Sequence, residues 1–272
     1  MIDFTRLDDV RTKRPLIHCV SNIVSANDCA NLVLAAGASP IMAQCAEEMD
    51  AITRASHATV LNTGTPDDEK YRVCLLCGQE AAALGQPVVL DPVGVGASRW
   101  RLQSVQTLLH IFTPAILRVN LGEAQALTQR DSREQGVDTP VPGSPQECRE
   151  IAMSLARQRR TVVLLSGPED LISDSTALWR VSGGSSLMSS VTGTGCMLSA
   201  LCGVFAAVEP DALHAAVLAS AFWKVCSQRA EQAAGKRGPG SFRAALMDAA
   251  WALTAQDLAA EAQIEILEAR HS

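Results

Sequence analysis

Three short, mostly apolar runs without regular polar alternation place the strongest constraint on the fold. They lie at 87–94, 115–120 and 161–167, and each ends in polar residues. Such a run fits a parallel strand that is covered on both faces. A helix-like segment follows each run. The repeated order of strand, polar loop and helix predicts an α/β fold with a mainly parallel central sheet flanked by helices.

The remaining apolar pattern predicts further elements of the same fold. Short strands are expected at 15–20, 39–43 and 59–64, helices from Asn27, from Glu47 and over 69–84, and an edge hairpin within 171–188. From Met197 to the end we expect almost only helix, interrupted at 235–241. The stretch 130–145, rich in charge, Gly and Pro, predicts a surface loop. With 272 residues and no internal repeat, the chain is expected to form a single domain over 1–272.

The charge balance argues against two classes of partner. With 29 acidic and 23 basic residues and a net charge of −6, the chain is poorly suited to bind nucleic acid or an anionic membrane. No apolar run reaches the roughly 18–20 residues of a membrane span. The first residues, 1–6, lack the basic start of a signal peptide. We therefore expect a cytoplasmic protein without a nucleic-acid or membrane partner.

Nine cysteines raise the question of a metal site or a redox pair. Cys74 and Cys77 form the only C-x-x-C sequence, and it lies inside a helix-like pattern. A zinc site would need a second such pair, or histidines at ligand spacing, and the sequence contains neither. We expect free thiols in the core, which is how buried cysteines usually behave.

A Thr-Gly-Thr-Gly-Cys sequence at 192–196 precedes a long apolar segment. The glycines allow a tight turn, and Thr192 and Thr194 can accept the first N–H groups of a helix. The N-terminus of such a helix suits an anion such as phosphate. Cys196 would lie in the first turn, where the helix dipole favours a thiolate. The alternative is a Gly-rich turn before a core helix with a small buried cysteine.

Familiar nucleotide and hydrolase motifs are absent from the sequence. It contains no G-x-x-x-x-G-K-[ST], no G-x-G-x-x-G after a first strand and no G-x-S-x-G. Carboxylates at predicted strand ends, Asp91 and Glu123, can hold Mg²⁺, and Arg118 can neutralise phosphate. With the helix start at 192–196, these parts fit a phosphoryl transferase. Taken singly, Asp91 could be only a turn residue, Glu123 only a helix cap and Arg118 only a surface cation.

Five sequence blocks resemble those of the hydroxyethylthiazole kinase family. They are residues 15–22, 37–43, 91–97, 191–197 and 238–242. They follow the family's order and extend over nearly the whole chain. The resemblance implies a ribokinase-like α/β fold and ATP-dependent phosphorylation of 4-methyl-5-(2-hydroxyethyl)thiazole, a salvage step towards thiamine. It also implies Mg²⁺ and a homotrimer whose sites lie between subunits.

The same resemblance assigns roles to individual residues. Those implied to bind ATP are Arg118, Ser166, Asn120 and Thr194. Those implied to bind the thiazole are Met42, Gly193 and Asn22, with Met42 reaching a neighbouring subunit's site. Asp91 and Glu123 are expected to serve Mg²⁺ and phosphate. Cys196 stands where many ribokinase-like kinases have an aspartate base.

One departure from the family pattern lies at 118–123. The family usually has Arg-Gly-Asn-x-Ser-Glu there, and this chain has Val119 and Gly122 in place of the glycine and the serine. A valine would be strained if the glycine had needed a positive φ. The altered loop leaves open a relative that binds a ligand without catalysis. A second alternative in the same fold is a kinase of another small alcohol, of the hydroxymethylpyrimidine or pyridoxal type, and Cys196 and Met42 argue against it.

Overall fold

The central sheet has nine strands in the part of the chain that the computed structural model describes, residues 2–128 and 143–269. They are β1 (Leu16–Val20), β2 (Ser39–Ile41), β3 (Ala58–Asn62), β4 (Val88–Asp91), β5 (Ile116–Val119), β6 (Val162–Leu165), β7 (Asp170–Ser173), β8 (Leu178–Ser182) and β9 (Gln263–Glu268). Their order is β2-β1-β3-β4-β5-β6-β7-β8-β9. Strands β1 to β6 pair in parallel, whereas β7, β8 and β9 pair antiparallel. The predicted mainly parallel sheet is confirmed.

Eleven α-helices occur in the same two ranges. They are α1 (Arg6–Lys13), α2 (Ala26–Ala36), α3 (Met49–Ala55), α4 (Asp68–Ala83), α5 (Arg99–Ile111), α6 (Leu121–Leu127), α7 (Pro145–Arg159), α8 (Thr194–Ala206), α9 (Ala212–Ala234), α10 (Pro239–Ala252) and α11 (Ala255–Glu261). Within those ranges, none of these helices combines the length and apolarity that crossing a bilayer requires. Cys74 and Cys77 are buried free thiols on α4, as predicted.

Two apolar layers cover the two faces of the sheet. Helices α1, α2 and α8 to α11 form one layer with strand residues such as Val60 and Val89. Helices α3 to α7 form the other layer with the next residue of each strand, Leu61 and Leu90. Because side chains alternate across a strand and both faces are buried, both positions must be apolar. This double burial explains the unalternating runs in the sequence.

The C-terminal part of the chain differs from its prediction. The predicted hairpin is present as β7 and β8, but β8 is not the edge of the sheet. Residues 263–268, expected to be helical, form β9 and pair with β8. Ile264 and Ile266 alternate with polar residues there, and this two-residue period with β-branched side chains suits a strand beside an open edge. Most of the predicted loop 130–145 lies outside the described residues.

Gly203 brings α8 close to the sheet. A methyl group on it would lie 2.4 Å from Val60 Cγ2 and 3.2 Å from Ile17 Cγ2. We expect Gly203→Ala to lower the free energy of unfolding by about 1–3 kcal/mol through overpacking. This is expected although alanine is the better helix former by about 1 kcal/mol. Urea unfolding measures the change. Gly240→Ala in α10 is the control, because nothing lies within 4 Å of the added methyl group; a Gly203→Ala protein as stable as the parent would contradict the packing argument.

Candidate active site

A chain of polar side chains crosses the carboxyl ends of five neighbouring parallel strands. Asn22, just beyond β1, donates from Nδ2 to Asn62 Oδ1 at 3.0 Å. Asn62, at the end of β3, donates from Nδ2 to Asp91 Oδ2 at 2.7 Å. Arg118 on β5 places Nη1 3.5 Å from Asp91 Oδ1 and donates from Nη2 to Ser166 Oγ at 2.6 Å, just beyond β6. Ligands of parallel α/β sheets bind at this edge, so the chain marks a candidate site.

Asp91 and Arg118 form a buried ion pair at the centre of this chain. The Asp91 side chain is fully buried, and Arg118 is 9% exposed. Asp91 Oδ2 accepts hydrogen bonds from Asn62 and, at 2.8 Å, from Ser199 Oγ on α8. Burial raises the pKa of Asp91, whereas the charge of Arg118 lowers it. Within the described residues, Asp91 Oδ1 accepts no hydrogen bond, and Arg118 Nε likewise has no partner.

Glu123 has a structural role at the start of α6. Its Oε2 accepts from the Asn120 backbone N–H and its Oε1 from the Gly94 N–H, each at 2.9 Å. Asn120 Oδ1 in turn accepts from the Glu123 N–H, which completes a capping box. Burial raises the pKa of Glu123 to about 7, although the charge of Arg118 acts in the opposite direction. The helix-cap explanation of Glu123 is thus correct, and each carboxylate oxygen keeps a second lone pair.

The start of α8 has no side-chain cap. Gly193 occupies the N-cap position with φ of 80°, and no side chain there accepts an N–H of the first turn. The predicted capping by Thr192 and Thr194 is therefore wrong. Thr194 is the first helical residue, and its hydroxyl donates to the Met188 carbonyl at 3.2 Å. The first N–H groups of α8 are thus left for an anionic ligand, as the helix dipole favours.

Gly195 lets α8 approach the buried arginine. A Cβ atom on Gly195 would lie 2.6 Å from both Arg118 Nη1 and Nη2. Real Cβ atoms do not approach that closely, so only glycine leaves room for the guanidinium group. The backbone of the helix start and the Arg118 charge therefore lie at one place, where both can attract an anion.

Cys196 lies in the first turn of α8, where Asn22 Nδ2 donates to its sulfur at 3.2 Å. Burial, and after it the negative charge of Asp91, raises the pKa of this thiol. The predicted lowering by the helix start is therefore wrong, because burial has the largest effect on this pKa. Arg118 lowers the Cys196 pKa, but by less. The residue is a thiol rather than a thiolate at neutral pH.

The carboxylates fit Mg²⁺ only in combination with other ligands. Among residues 2–128 and 143–269, no three acidic, histidine or cysteine side chains are placed to hold a metal ion together. Asp91 Oδ1, however, is buried without a hydrogen bond, and Glu123 keeps free lone pairs. Mg²⁺ usually binds one or two carboxylates together with waters and substrate phosphates. The donor set fits that mode of binding and not an all-protein cage.

Val119 causes no backbone strain. It lies in β5, and the non-glycine residues with positive φ in the described ranges are Arg14, Thr65, Arg160 and Ser175. Gly122 lies inside α6. The departure from the family pattern at 118–123 therefore leaves the strand and the cap of α6 intact, which weakens the hypothesis of a non-catalytic relative.

The structure brings most of the predicted site residues to one edge of the sheet. Met42 follows the carboxyl end of the outermost strand, β2, at the same edge, and packs against the first apolar layer. Asn62 and Ser199 are site residues that were not predicted from the sequence. Asn62 ends a predicted strand, a position that could have identified it. Ser199 lies inside an apolar helix and gave no signal.

The architecture is that of the ribokinase-like class of small-molecule kinases. A pyridoxal kinase from Staphylococcus aureus in complex with pyridoxal superposes with a TM-score of 0.60 at 14% identity, covering 93% of this chain and 98% of that one. At that identity the likeness shows the fold alone.

Closer similarities show the family. The model of the hydroxyethylthiazole kinase family matches residues 7–256. A hydroxyethylthiazole kinase of Listeria monocytogenes is 43% identical over 265 residues, which cover 97% of this chain and 98% of that protein. The structure of a hydroxyethylthiazole kinase from Pyrococcus horikoshii OT3 superposes with a TM-score of 0.89 at 34% identity, covering 97% of this chain and 98% of that one. The chain belongs to the hydroxyethylthiazole kinase family.

Removing the arginine of the buried pair should be costly. We expect Arg118→Leu to lower the free energy of unfolding by about 3–5 kcal/mol at pH 7, because it leaves Asp91 buried without its cation. Adding Asp91→Asn should recover part of the loss. Urea unfolding of the single and double variants gives both values.

Arg72→Leu provides the matched comparison for this measurement. Arg72 pairs with Glu69 on the surface of α4, where both side chains are more than half exposed. We expect Arg72→Leu to lower the free energy of unfolding by only about 0–1 kcal/mol, which is the usual contribution of an exposed ion pair. If Arg118→Leu and Arg72→Leu lowered the free energy of unfolding equally, the buried pair would not stabilise the fold more than an exposed pair does.

Proposed function

We propose that this chain transfers the γ-phosphoryl group of ATP to the hydroxyl of 4-methyl-5-(2-hydroxyethyl)thiazole, a salvage step towards thiamine. Membership of the hydroxyethylthiazole kinase family supports the substrate. The observation that carries the chemistry is the polar chain from Asn22 to Ser166 beside the uncapped start of α8. It combines a buried cation, free backbone N–H groups and carboxylates, which are the parts that phosphoryl transfer needs.

In this proposal the nucleotide phosphates lie against Arg118 and Ser166. Arg118 is rigid, because Asp91 and Ser166 hold its guanidinium group from two sides. Thr194 and Asn120 border the same edge. Asp91 and Glu123 would hold Mg²⁺, which when bound neutralises charge on phosphate oxygens. Since the protein groups are already fixed by hydrogen bonds, little reorganisation is needed when charge develops.

The thiazole alcohol is proposed to bind between Asn22 and Gly193, with its hydroxyl at Cys196. The Asn22 amide fixes the sulfur at 3.2 Å. In its thiolate form, Cys196 would accept the proton of the substrate hydroxyl as that oxygen bonds to the γ-phosphorus and the bond from this phosphorus to ADP breaks. Because positioning and charge neutralisation dominate phosphoryl transfer, we expect this base to contribute near the lower end of the usual ~10²–10⁴-fold.

We also propose a homotrimer in which Met42 completes a neighbouring subunit's site. Ile23 and Val24 follow Asn22 directly and are 84% and 58% exposed. Two adjacent exposed apolar side chains beside the site support a subunit contact there. A cytoplasmic location is supported by the nine cysteines, all of which are free.

The proposed activity is tested with ATP, Mg²⁺ and a panel of small alcohols. We expect phosphorylation of the thiazole alcohol and at most weak turnover of hydroxymethylpyrimidine or pyridoxal. If another alcohol were phosphorylated faster, the proposed substrate would be wrong. If the protein bound the thiazole alcohol without phosphorylating it, the chain would be a non-catalytic relative. Omitting Mg²⁺ should abolish turnover.

The role of Cys196 predicts a pH dependence. Because burial raises the pKa of its thiol above the ordinary value, the thiolate fraction is small at neutral pH and grows as pH rises. The kcat of the parent at saturating ATP should therefore increase between about pH 7 and pH 9. Cys196→Asp should flatten that rise, because a carboxylate of ordinary pKa about 3.9 is already ionised. Cys196→Ala should keep measurable activity, roughly 10²-fold lower.

Cys202→Ala is the control for these variants. Cys202 is a fully buried thiol further along α8, so its removal should leave the pH profile unchanged. If Cys196→Ala were as fast as the parent and Cys196→Asp were inactive, Cys196 would have only a packing role.

Glu123→Gln should mainly impair phosphoryl transfer. The change removes the negative charge and turns one acceptor of the Asn120 and Gly94 N–H groups into a donor. We expect kcat to fall at least tenfold, with the thiazole affinity unchanged within about twofold by calorimetry. Glu147→Gln is the control, because Glu147 holds the same N3 position in α7, whose N-cap is Ser144. Collapse of thiazole binding in Glu123→Gln would reject the assignment.

The proposed trimer predicts that an isolated subunit is inactive. Ile23→Glu should dissociate the assembly and abolish activity, because a charge would replace an exposed apolar contact. Light scattering and the kinase assay on the same sample test this. Leu84→Glu is the control, since Leu84 precedes β4 and lies at the opposite end of the sheet from the site. An active monomer would refute the shared site.

A further inference from the structure

Ser25 is a buried residue that the proposed mechanism does not use. It stands at the N-cap position of α2, yet its side chain caps no N–H group. Asn22 Oδ1 accepts from the Val24 and Ser25 N–H groups just before the helix, at 3.0 Å each. Ser25 is 1% exposed, and its hydroxyl has no hydrogen-bond partner among the described residues. A buried hydroxyl without a partner costs free energy, so the position calls for an explanation.

The Ser25 side chain faces the start of α8. A Cβ atom on Gly193 would lie 2.7 Å from Ser25 Cβ, so the two residues are in direct contact. The Ser25 hydroxyl lowers the pKa of both the Cys196 and the Cys29 thiols, so it lies near both sulfurs, although it makes no hydrogen bond of good geometry to either. Asn22 Nδ2 borders the same space through its bond to Cys196. The unpartnered hydroxyl therefore adjoins the position proposed for the substrate alcohol.

Another buried hydroxyl without a partner in the described ranges, that of Thr53, lies away from this place. Thr53 is on α3, beneath the other face of the sheet. Thr53 therefore supplies a comparison in which a buried hydroxyl is lost away from the site.

We propose that Ser25 binds the reacting hydroxyl group of the substrate alcohol. Its O–H donates a hydrogen bond to the substrate oxygen, so the substrate's own proton is left to point at the Cys196 sulfur. This arrangement would satisfy Ser25 only when the alcohol is bound, and it would select a ligand with a hydroxyl at that atom. The inference rests on the proposed function, because it takes the thiazole alcohol as the ligand.

The test compares two ligands that differ only in the hydroxyl group. Calorimetry measures the binding of 4-methyl-5-(2-hydroxyethyl)thiazole and of 4-methyl-5-ethylthiazole to the parent, Ser25→Ala and Thr53→Val proteins. In Ser25→Ala the affinity for the alcohol should fall about fivefold to tenfold, the usual effect of one hydrogen bond. The affinity for the ethyl compound should stay within about twofold. Thr53→Val should change neither affinity.

The possible failures can be distinguished. A parent protein that binds neither ligand overturns the proposed substrate, and this inference with it. If the parent binds both ligands and Ser25→Ala loses the same affinity for each, or none, the role of Ser25 is overturned while the proposed substrate stands. If Ser25→Ala does not fold, Ser25→Cys under reducing conditions keeps the size and weakens the donor. It should then show a smaller loss that is again confined to the alcohol.

Discussion

The buried pair of Asp91 and Arg118 is the interaction on which the site depends. Burying two charges costs free energy, and hydrogen bonds to the pair repay part of that cost. Asn62 and Ser199 supply hydrogen bonds to the carboxylate, and Ser166 accepts one from the guanidinium group. These partners come from β3, α8 and the end of β6. The pair thereby fixes the geometry of the whole carboxyl edge of the sheet.

Several buried polar atoms without hydrogen bonds lie in or beside that pair. Asp91 Oδ1, Arg118 Nε and the Ser25 hydroxyl are buried without hydrogen bonds in the described residues, and the start of α8 has no side-chain cap. Several open polar groups at one place, beside a helix start without a side-chain cap, prepare this edge of the sheet to bind a polar ligand. The hydrogen bonds within the protein hold the site residues in place, and the polar atoms without partners can bind the ligand.

Much of this arrangement could be predicted from the sequence because it follows from local rules. Unalternating apolar runs identify parallel strands, and the residues that end those strands must share an edge, so Asp91 and Arg118 were found. Properties that depend on tertiary burial were not predicted. The Cys196 pKa follows desolvation rather than its place in the helix, and β9 exists because β8 offers an unpaired edge. Ser199 has no local signal, since only packing of α8 on the sheet brings it to Asp91.

The contact between Gly195 and the Arg118 guanidinium group also bears on how the family can evolve. A side chain at 195 would collide with a cation that is held from two other sides and cannot move away. The two positions are distant in sequence, but a change at one restricts which residues the other can accept. As long as the arginine stays in this place, any side chain at position 195 would force its guanidinium group to shift. A lineage that lost the arginine would be free to change position 195, and the reverse order of changes would be blocked.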